Sequence, residues 1–187
     1  MVAKSPKRPK RPGAPEKASN PPPPGLLASP EEVIQYYNAF GLDMDPAVGI
    51  EKIIRSNEEL TLTFKDLGGN DAYIKKVSDE KFEIAVNSNH HPNRQKFSMA
   101  HEYAHYLLHR SRIHEMPEGE RILHRNGDRN SIEYQANDFA AQLLMPHDLV
   151  KSAFRATGGN LKGMASRLQV SQEALRYRLD NLGYRIS

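Results

Sequence analysis

The chain of 187 residues contains no cysteine. This absence excludes a disulfide scaffold, a thiol nucleophile and any thiolate-bound zinc or iron–sulfur site. A metal ion would therefore need His, Asp or Glu as its ligands. No apolar run approaches the roughly 20 residues that a membrane-spanning helix needs, so we expect no membrane partner. Lys, Arg and Pro crowd the first residues in place of an apolar stretch, which predicts no signal peptide and a cytoplasmic location.

The net charge of +3 is unevenly distributed. Residues 1–30 hold six of the Lys and Arg residues, a single acid and nine of the 13 prolines. Such a segment cannot bury enough apolar surface to offset the entropy cost of ordering it. We therefore predict a disordered basic extension over residues 1–29. It could contact nucleic acid or an acidic partner, but a solvated extension is the favoured interpretation.

Hydrophobic periodicity predicts an α+β fold. A helix is expected to begin at Ser29, and three segments then alternate apolar and polar residues, over 60–65, 72–77 and 82–86. Short turns separate these segments, which favours a small three-stranded antiparallel sheet, a meander. Its strand Phe82 to Val86 is our candidate edge for binding an extended substrate.

The period becomes helical after Pro92, where Asn93 is the expected N-cap, and again from about residue 130 to Pro146. The polar stretch over 111–129 predicts a loop between these helices. We expect the sheet to pack on both helices in one domain over residues 30–150. Residues 151–187 are predicted to form a separate C-terminal module that resembles a helix-turn-helix.

The first of these two helices contains His101, Glu102 and His105 in an H-E-x-x-H pattern. Two histidines four residues apart lie on one helix face, where both rings can reach one metal ion. Glu102 can interact with a water molecule at that ion without being a ligand of the ion itself. A catalytic zinc site needs a third protein ligand, which must come from elsewhere in the chain.

Glu133 on the second helix is the best candidate for that ligand. An alternative is structural, because Asn130 as N-cap with Glu133 at the third helical position would make a capping box. Asn137, one turn further on, could accept a hydrogen bond from a ligand histidine and fix its orientation. Spacing alone leaves the ligand and capping interpretations open.

These residues resemble the ImmA/IrrE family of metallo-endopeptidases. The resemblance covers roughly residues 30–187 and is most specific over 95–146. Besides H-E-x-x-H, it is carried by three stretches: Phe97-Ser98-Met99-Ala100, Leu107-Leu108-His109, and Glu133-x-x-Ala136-Asn137-x-Phe139-Ala140-Ala141-x-Leu143-Leu144-Met145-Pro146. Ala104 departs from the family pattern, which usually has Gly before the second histidine.

The resemblance implies a thermolysin-like zincin with His101, His105 and Glu133 as metal ligands and Glu102 as general base. It implies one Zn²⁺ per chain, with Mn²⁺ as the alternative. It also implies that the substrate is a helix-turn-helix repressor of the Xre type or an antitoxin. His124 could stabilise an oxyanion, although a solvated histidine is the simpler account. His109 has no spacing that indicates a role at the site.

Two function classes follow from these observations. The leading one is a cytoplasmic zinc endopeptidase in transcription regulation or a toxin–antitoxin pair. The alternative is a regulatory or toxin-component protein that binds DNA or a repressor through its C-terminal helices without cleavage. Glu102 argues against the alternative, because a structural site has no use for an unligated carboxylate beside its first histidine. Packing or substrate docking is favoured over DNA contact for the C-terminal helices.

Overall fold

The computed structural model describes residues 27–41, 47–115 and 129–184, with the backbone alone at 129 and 130. In chain order its elements are α1 (Pro30–Ala39), α2 (Ile50–Ser56), β1 (Leu60–Lys65), β2 (Ala72–Ser78), β3 (Lys81–Asn87), α3 (Pro92–Leu108), α4 (Arg110–His114), α5 (Arg129–Leu144), α6 (His147–Thr157), α7 (Leu161–Leu168) and α8 (Gln172–Asn181). The α+β prediction is confirmed. No helix in these described ranges is long and apolar enough to cross a bilayer.

The three-stranded sheet is mixed, in the order β1-β3-β2, so the predicted meander is wrong. β2 and β3 form an antiparallel hairpin, whereas β1 pairs with β3 in parallel. The connection over residues 66–71 crosses the end of β3. There Nδ2 of Asn87 donates hydrogen bonds to the carbonyl oxygens of Gly68, at 3.0 Å, and Asn70, at 2.8 Å. These bonds fix the path of residues 66–71 across the end of β3, from β1 at one edge of the sheet to β2 at the other.

This strand order corrects the expected substrate edge. The strand predicted over Phe82 to Val86 is the central strand β3, which has a neighbour on both sides. Its residues Ala85 and Val86 are fully buried in succession, in place of an alternation that leaves one face exposed. The sheet edges are β1 and β2, and β2 packs against α3.

Helix α3 lies between the sheet and α5 and carries the H-E-x-x-H residues. Its N-cap is His91, whose Nδ1 accepts a hydrogen bond from the backbone N–H of Asn93 at 3.1 Å. The predicted cap Asn93 is therefore wrong. Pro92 occupies the first helical position, where the missing N–H costs nothing.

Helices α3 and α5 are in contact and carry small buried side chains. Four alanines on these helices are fully buried in the common core: Ala100, Ala104, Ala136 and Ala140. The distance between helix axes depends on the side chains at the contact, and alanine permits a short one. Ala104 therefore packs at the position where the resembled family usually has glycine.

The C-terminal helices share this core. Lys96 Nζ donates to the carbonyl oxygen of Leu168 at 3.1 Å, and Asn93 Nδ2 donates to that of Val170 at 3.0 Å. Arg178 on α8 donates to the carbonyl oxygen of Met145 at 3.0 Å. Helices α7 and α8 lie where the sequence predicts them. Their function as a helix-turn-helix-like module stays a prediction, as does the boundary at residue 150, which falls inside α6.

Two further elements went unpredicted. Helix α2 was missed, although Ile50, Ile53 and Ile54 have helical spacing and are buried. Helix α4 lies at the start of the predicted loop over 111–129. The rest of that loop from residue 116 to 128 and residues 1–26 of the predicted extension lie outside the described residues.

Candidate metal centre

The two histidines of the H-E-x-x-H pattern face one point. Nε2 of His101 lies 3.0 Å from Nε2 of His105. His105 is almost completely buried, whereas His101 borders the surface. The helical spacing of four residues brings the rings together, as the sequence predicts.

Glu133 completes the cluster from α5. Its Oε2 lies 3.2 Å from Nε2 of His101, and its Oε1 lies 3.5 Å from Nε2 of His105. Helix α5 begins at Arg129, so Asn130 lies inside the helix and not at its N-cap. The carboxylate of Glu133 thus faces the histidines.

These donor atoms fit one divalent metal ion. The ligand atoms of His101, His105 and Glu133 all lie within 4.8 Å of one another. Tetrahedral bonds of about 2.0–2.1 Å would separate ligand atoms by about 3.3 Å, close to the contacts above. Two imidazoles and one carboxylate are also the ligand set of one class of catalytic zinc site, which leaves a fourth position open.

Asn137 contacts the outer side of His101. Its Oδ1 lies 3.0 Å from Nδ1 of that ring. Because the amide oxygen can only accept, it pairs with a proton on Nδ1, and Nε2 is the ring nitrogen left for a metal ion. Asn137 follows Glu133 by one helical turn, so α5 supplies both groups to the cluster.

Glu102 is not one of the clustered donors, but its carboxyl group is near enough to His101 and Glu133 to feel their charges. Its side chain is buried against the edge strand β2, where the backbone of Ile74 hydrogen-bonds it. Burial, which disfavours the carboxylate, raises the pKa of Glu102 to about 7, although the charge of His101 opposes the shift. A carboxyl group with a pKa near neutrality can both take and return a proton.

The charges of the three candidate ligands support one another. Hydrogen bonds from His101 and His105 hold the pKa of Glu133 below its ordinary value. Burial acts against a charged His101, but Glu133 and Glu102 outweigh it and raise the pKa of that ring. Burial lowers the pKa of His105 and so favours its neutral form, the form that binds metals.

The structure brings two further residues to the site that sequence reasoning missed. His109 is buried with its Nδ1 3.1 Å from Nδ1 of His105. Its Nε2 lies 3.0 Å from Oε1 of Gln135 on α5. The spacing of four residues between His105 and His109 was a signal that could have identified the first. His124, the candidate oxyanion stabiliser, lies outside the described residues.

Comparison with known proteins gives a consistent assignment. Residues 56–180 match the IrrE N-terminal-like domain of peptidase family M78. The radiation response metalloprotease IrrE of Deinococcus deserti is 32% identical over 167 residues, which cover 85% of this chain and 56% of that protein. The protein of the same name from Deinococcus radiodurans is 34% identical over 126 residues, which cover 63% of this chain and 36% of that protein.

The chain thus spans about half or less of the length of these relatives. The matched region nonetheless contains the whole candidate metal centre together with the sheet and the helices that hold it. The chain belongs to the peptidase M78 family of IrrE N-terminal-like domains.

Proposed function

We propose that this chain is a zinc-dependent endopeptidase, a hydrolase that cleaves a peptide bond in a protein partner. One observation carries the proposal: His101, His105 and Glu133 converge on one point while the buried carboxyl group of Glu102 lies beside them. The two histidines and the carboxylate would hold one Zn²⁺, with Mn²⁺ as the alternative. A bound ion would supply Lewis-acid polarisation of the scissile carbonyl group.

The protein's own residues account for the remaining steps. Glu102 takes the proton from the water that attacks the carbonyl carbon of the substrate, and it later gives that proton to the leaving amine. Asn137 holds His101 with Nε2 free to bind the ion. A role for His124 in stabilising the oxyanion remains part of the proposal and is untested.

The edge strand β2 could bind an extended substrate as an added strand of the sheet. In the described part of the chain β2 pairs with β3 on one side and has no strand on the other. Ile74 in β2 hydrogen-bonds Glu102, so a strand added along β2 would run beside the candidate base. This geometry favours an unfolded or extended segment over a folded helix as the substrate.

We infer from the family resemblance that the substrate is a helix-turn-helix repressor of the Xre type or an antitoxin. The protein would then act in the cytoplasm, where such regulators bind DNA. The C-terminal helices α7 and α8 would dock the substrate, and the basic extension over residues 1–29 is assigned no catalytic part.

The decisive experiment pairs wild-type protein with the Glu102→Gln variant. Each is loaded with Zn²⁺ and incubated with the helix-turn-helix regulator encoded next to it, and the products are separated on a gel. Glutamine keeps the size of the side chain but cannot take a proton, so turnover should fall by about 10²–10⁴-fold. Zinc binding and melting temperature should stay close to those of the wild type.

Glu51→Gln is the matched control, because Glu51 is an exposed carboxylate on α2 whose partner is Arg55 and not a residue of the cluster. It should cleave like the wild type. A regulator that stays intact with wild-type protein, yet loses its repression equally with wild type and Glu102→Gln, would establish binding without cleavage. A wild-type protein that binds no zinc would contradict the metal site itself.

A further inference from the structure

His109 is a buried histidine that the proposed mechanism does not use. It lies at the C-terminal end of α3, one turn beyond His105, and is only 7% exposed. Both of its ring nitrogens have partners: Nδ1 lies 3.1 Å from Nδ1 of His105, and Nε2 lies 3.0 Å from Oε1 of Gln135. Two imidazole rings in contact through the same kind of nitrogen need one proton between them.

The amide of Gln135 decides where that proton lies. Its oxygen can only accept, so Nε2 of His109 must carry a proton. In a neutral ring Nδ1 of His109 is then the acceptor, and Nδ1 of His105 must be the donor. Nε2 of His105 is then the nitrogen left for a metal ion, at the point that it shares with His101 and Glu133. The opposite end of the amide, Nε2 of Gln135, lies 3.5 Å from the hydroxyl of Ser131.

The other candidate ligand, His101, has an amide oxygen of α5 as its direct partner. Oδ1 of Asn137 contacts Nδ1 of His101 at 3.0 Å without an intermediate. Helix α5 therefore supplies Glu133 to the cluster and one amide oxygen toward each histidine, from Gln135 and Asn137. Nδ1 of His105 contacts His109, and His109 in turn contacts Gln135.

We propose that Gln135 and His109 form a relay that holds His105 in the tautomer whose Nε2 binds the metal. Both are positioning residues, because they act through His105 and do not contact the ion or the substrate. The inference rests on the metal site of the proposed function, but it does not depend on proteolysis.

Gln135 is the better residue to substitute, because it is exposed and its loss leaves the core intact. Gln135→Leu removes the acceptor, whereas Gln135→Glu keeps one. Loss of such an outer hydrogen-bond partner typically weakens metal binding about 10–100-fold. We expect Gln135→Leu to bind Zn²⁺ about 10-fold more weakly than wild type in competition with a chelator, and Gln135→Glu to restore the affinity.

Gln142→Leu is the matched control. It removes a comparable bond on the same helix, from Nε2 of Gln142 to Oδ2 of Asp138 at 2.7 Å, and should leave zinc affinity unchanged. A second measurement is independent of the metal. Long-range ¹H–¹⁵N NMR of the histidine rings in the metal-free full chain should show His109 protonated at Nε2 in the wild type and at a mixture of positions in Gln135→Leu.

The outcomes separate the two proposals. Wild-type protein that binds zinc, with equal affinity in Gln135→Leu, would overturn the relay and leave the metal site standing. Finding His109 protonated at Nδ1 in the wild type would also overturn it. Wild-type protein without zinc affinity would contradict the proposed function, while the NMR result would still decide the relay.

Discussion

Oδ1 of Asn137 lies 3.0 Å from Nδ1 of His101, and the other nitrogen of that ring lies 3.2 Å from Oε2 of Glu133. The contact crosses between α3 and α5 and fixes the ring that borders the surface. Because it orients a candidate ligand without touching the ion, its loss should weaken metal binding and leave the fold in place.

We therefore expect Asn137→Ala to lower zinc affinity by about 10–100-fold. Asn137→Asp keeps an oxygen acceptor at the same reach and should bind zinc nearly as tightly as the wild type. Competition with a chelator measures both variants. Equal affinities for Asn137→Ala and the wild type would contradict an orienting role for this side chain.

Glu133→Gln distinguishes a ligand from a helix cap. Glutamine serves a capping box as well as glutamate does, so a capping role predicts little change in any property. A ligand role predicts a large loss of zinc affinity, because the neutral amide is a far weaker ligand than the carboxylate. We expect a large loss of zinc affinity and a nearly unchanged melting temperature. Zinc titration combined with thermal melting measures both quantities.

Lys96 should make stability depend on pH. Its Nζ is buried, pairs with no carboxylate in the described residues, and has a pKa lowered to about 8 by burial. The unfolded chain holds that proton up to about pH 10.4. Between these values the unfolded state binds more protons, so the free energy of unfolding should rise with pH, by up to about 3 kcal/mol over the window.

Below about pH 8 Lys96 is charged in both states, and its pH-dependent contribution disappears. Urea unfolding from about pH 7 to pH 10 should therefore show a steeper rise for the wild type than for Lys96→Met. Lys52→Met removes an exposed lysine and should follow the wild-type slope. Parallel curves for wild type and Lys96→Met would show that burial does not perturb this amine.

Two truncations test where the N-terminal extension meets the core. Leu27 packs against the core, and the backbone N–H of Ala28 donates to Oε2 of Glu32 at 2.8 Å. Deleting residues 1–26 spares both contacts and should leave the melting temperature unchanged. Deleting residues 1–28 removes both contacts, costs about 1 kcal/mol and should lower it by about 2–4 °C. A large drop with the shorter deletion would mean that residues 1–26 contribute to stability.

The parts of the fold that sequence predicts are those set by local rules. Ser29 and Pro30 start α1 because a side-chain oxygen and a missing N–H both suit a helix N-terminus. Leu60 and Leu62 alternate with polar residues because only one face of β1 is buried. Asn93 failed as a cap because His91 caps α3 instead, while the side chain of Asn93 bonds the turn between α7 and α8.

The strand order illustrates what local patterns leave open. The apolar–polar alternation of the sequence over 72–77 and 82–86 is compatible with a meander and with the observed order, because alternation shows which residues share a face and not which strands are neighbours. The choice depends on the path of residues 66–71, which is fixed by hydrogen bonds from Asn87, distant in sequence. That choice makes β2 the edge beside Glu102 and β3 the centre.

The sequence by itself determined the pair His101 and His105 and the carboxylate beside them, because one helix turn sets their spacing wherever the helix lies. It also offered Glu133 as the best candidate for a third ligand, beside a capping interpretation. Only the tertiary structure decided that the carboxylate of Glu133 meets both rings and that His109 connects His105 to Gln135. Those contacts join α3 to α5, and their geometry depends on how closely two helices pack, which no spacing along one helix can specify.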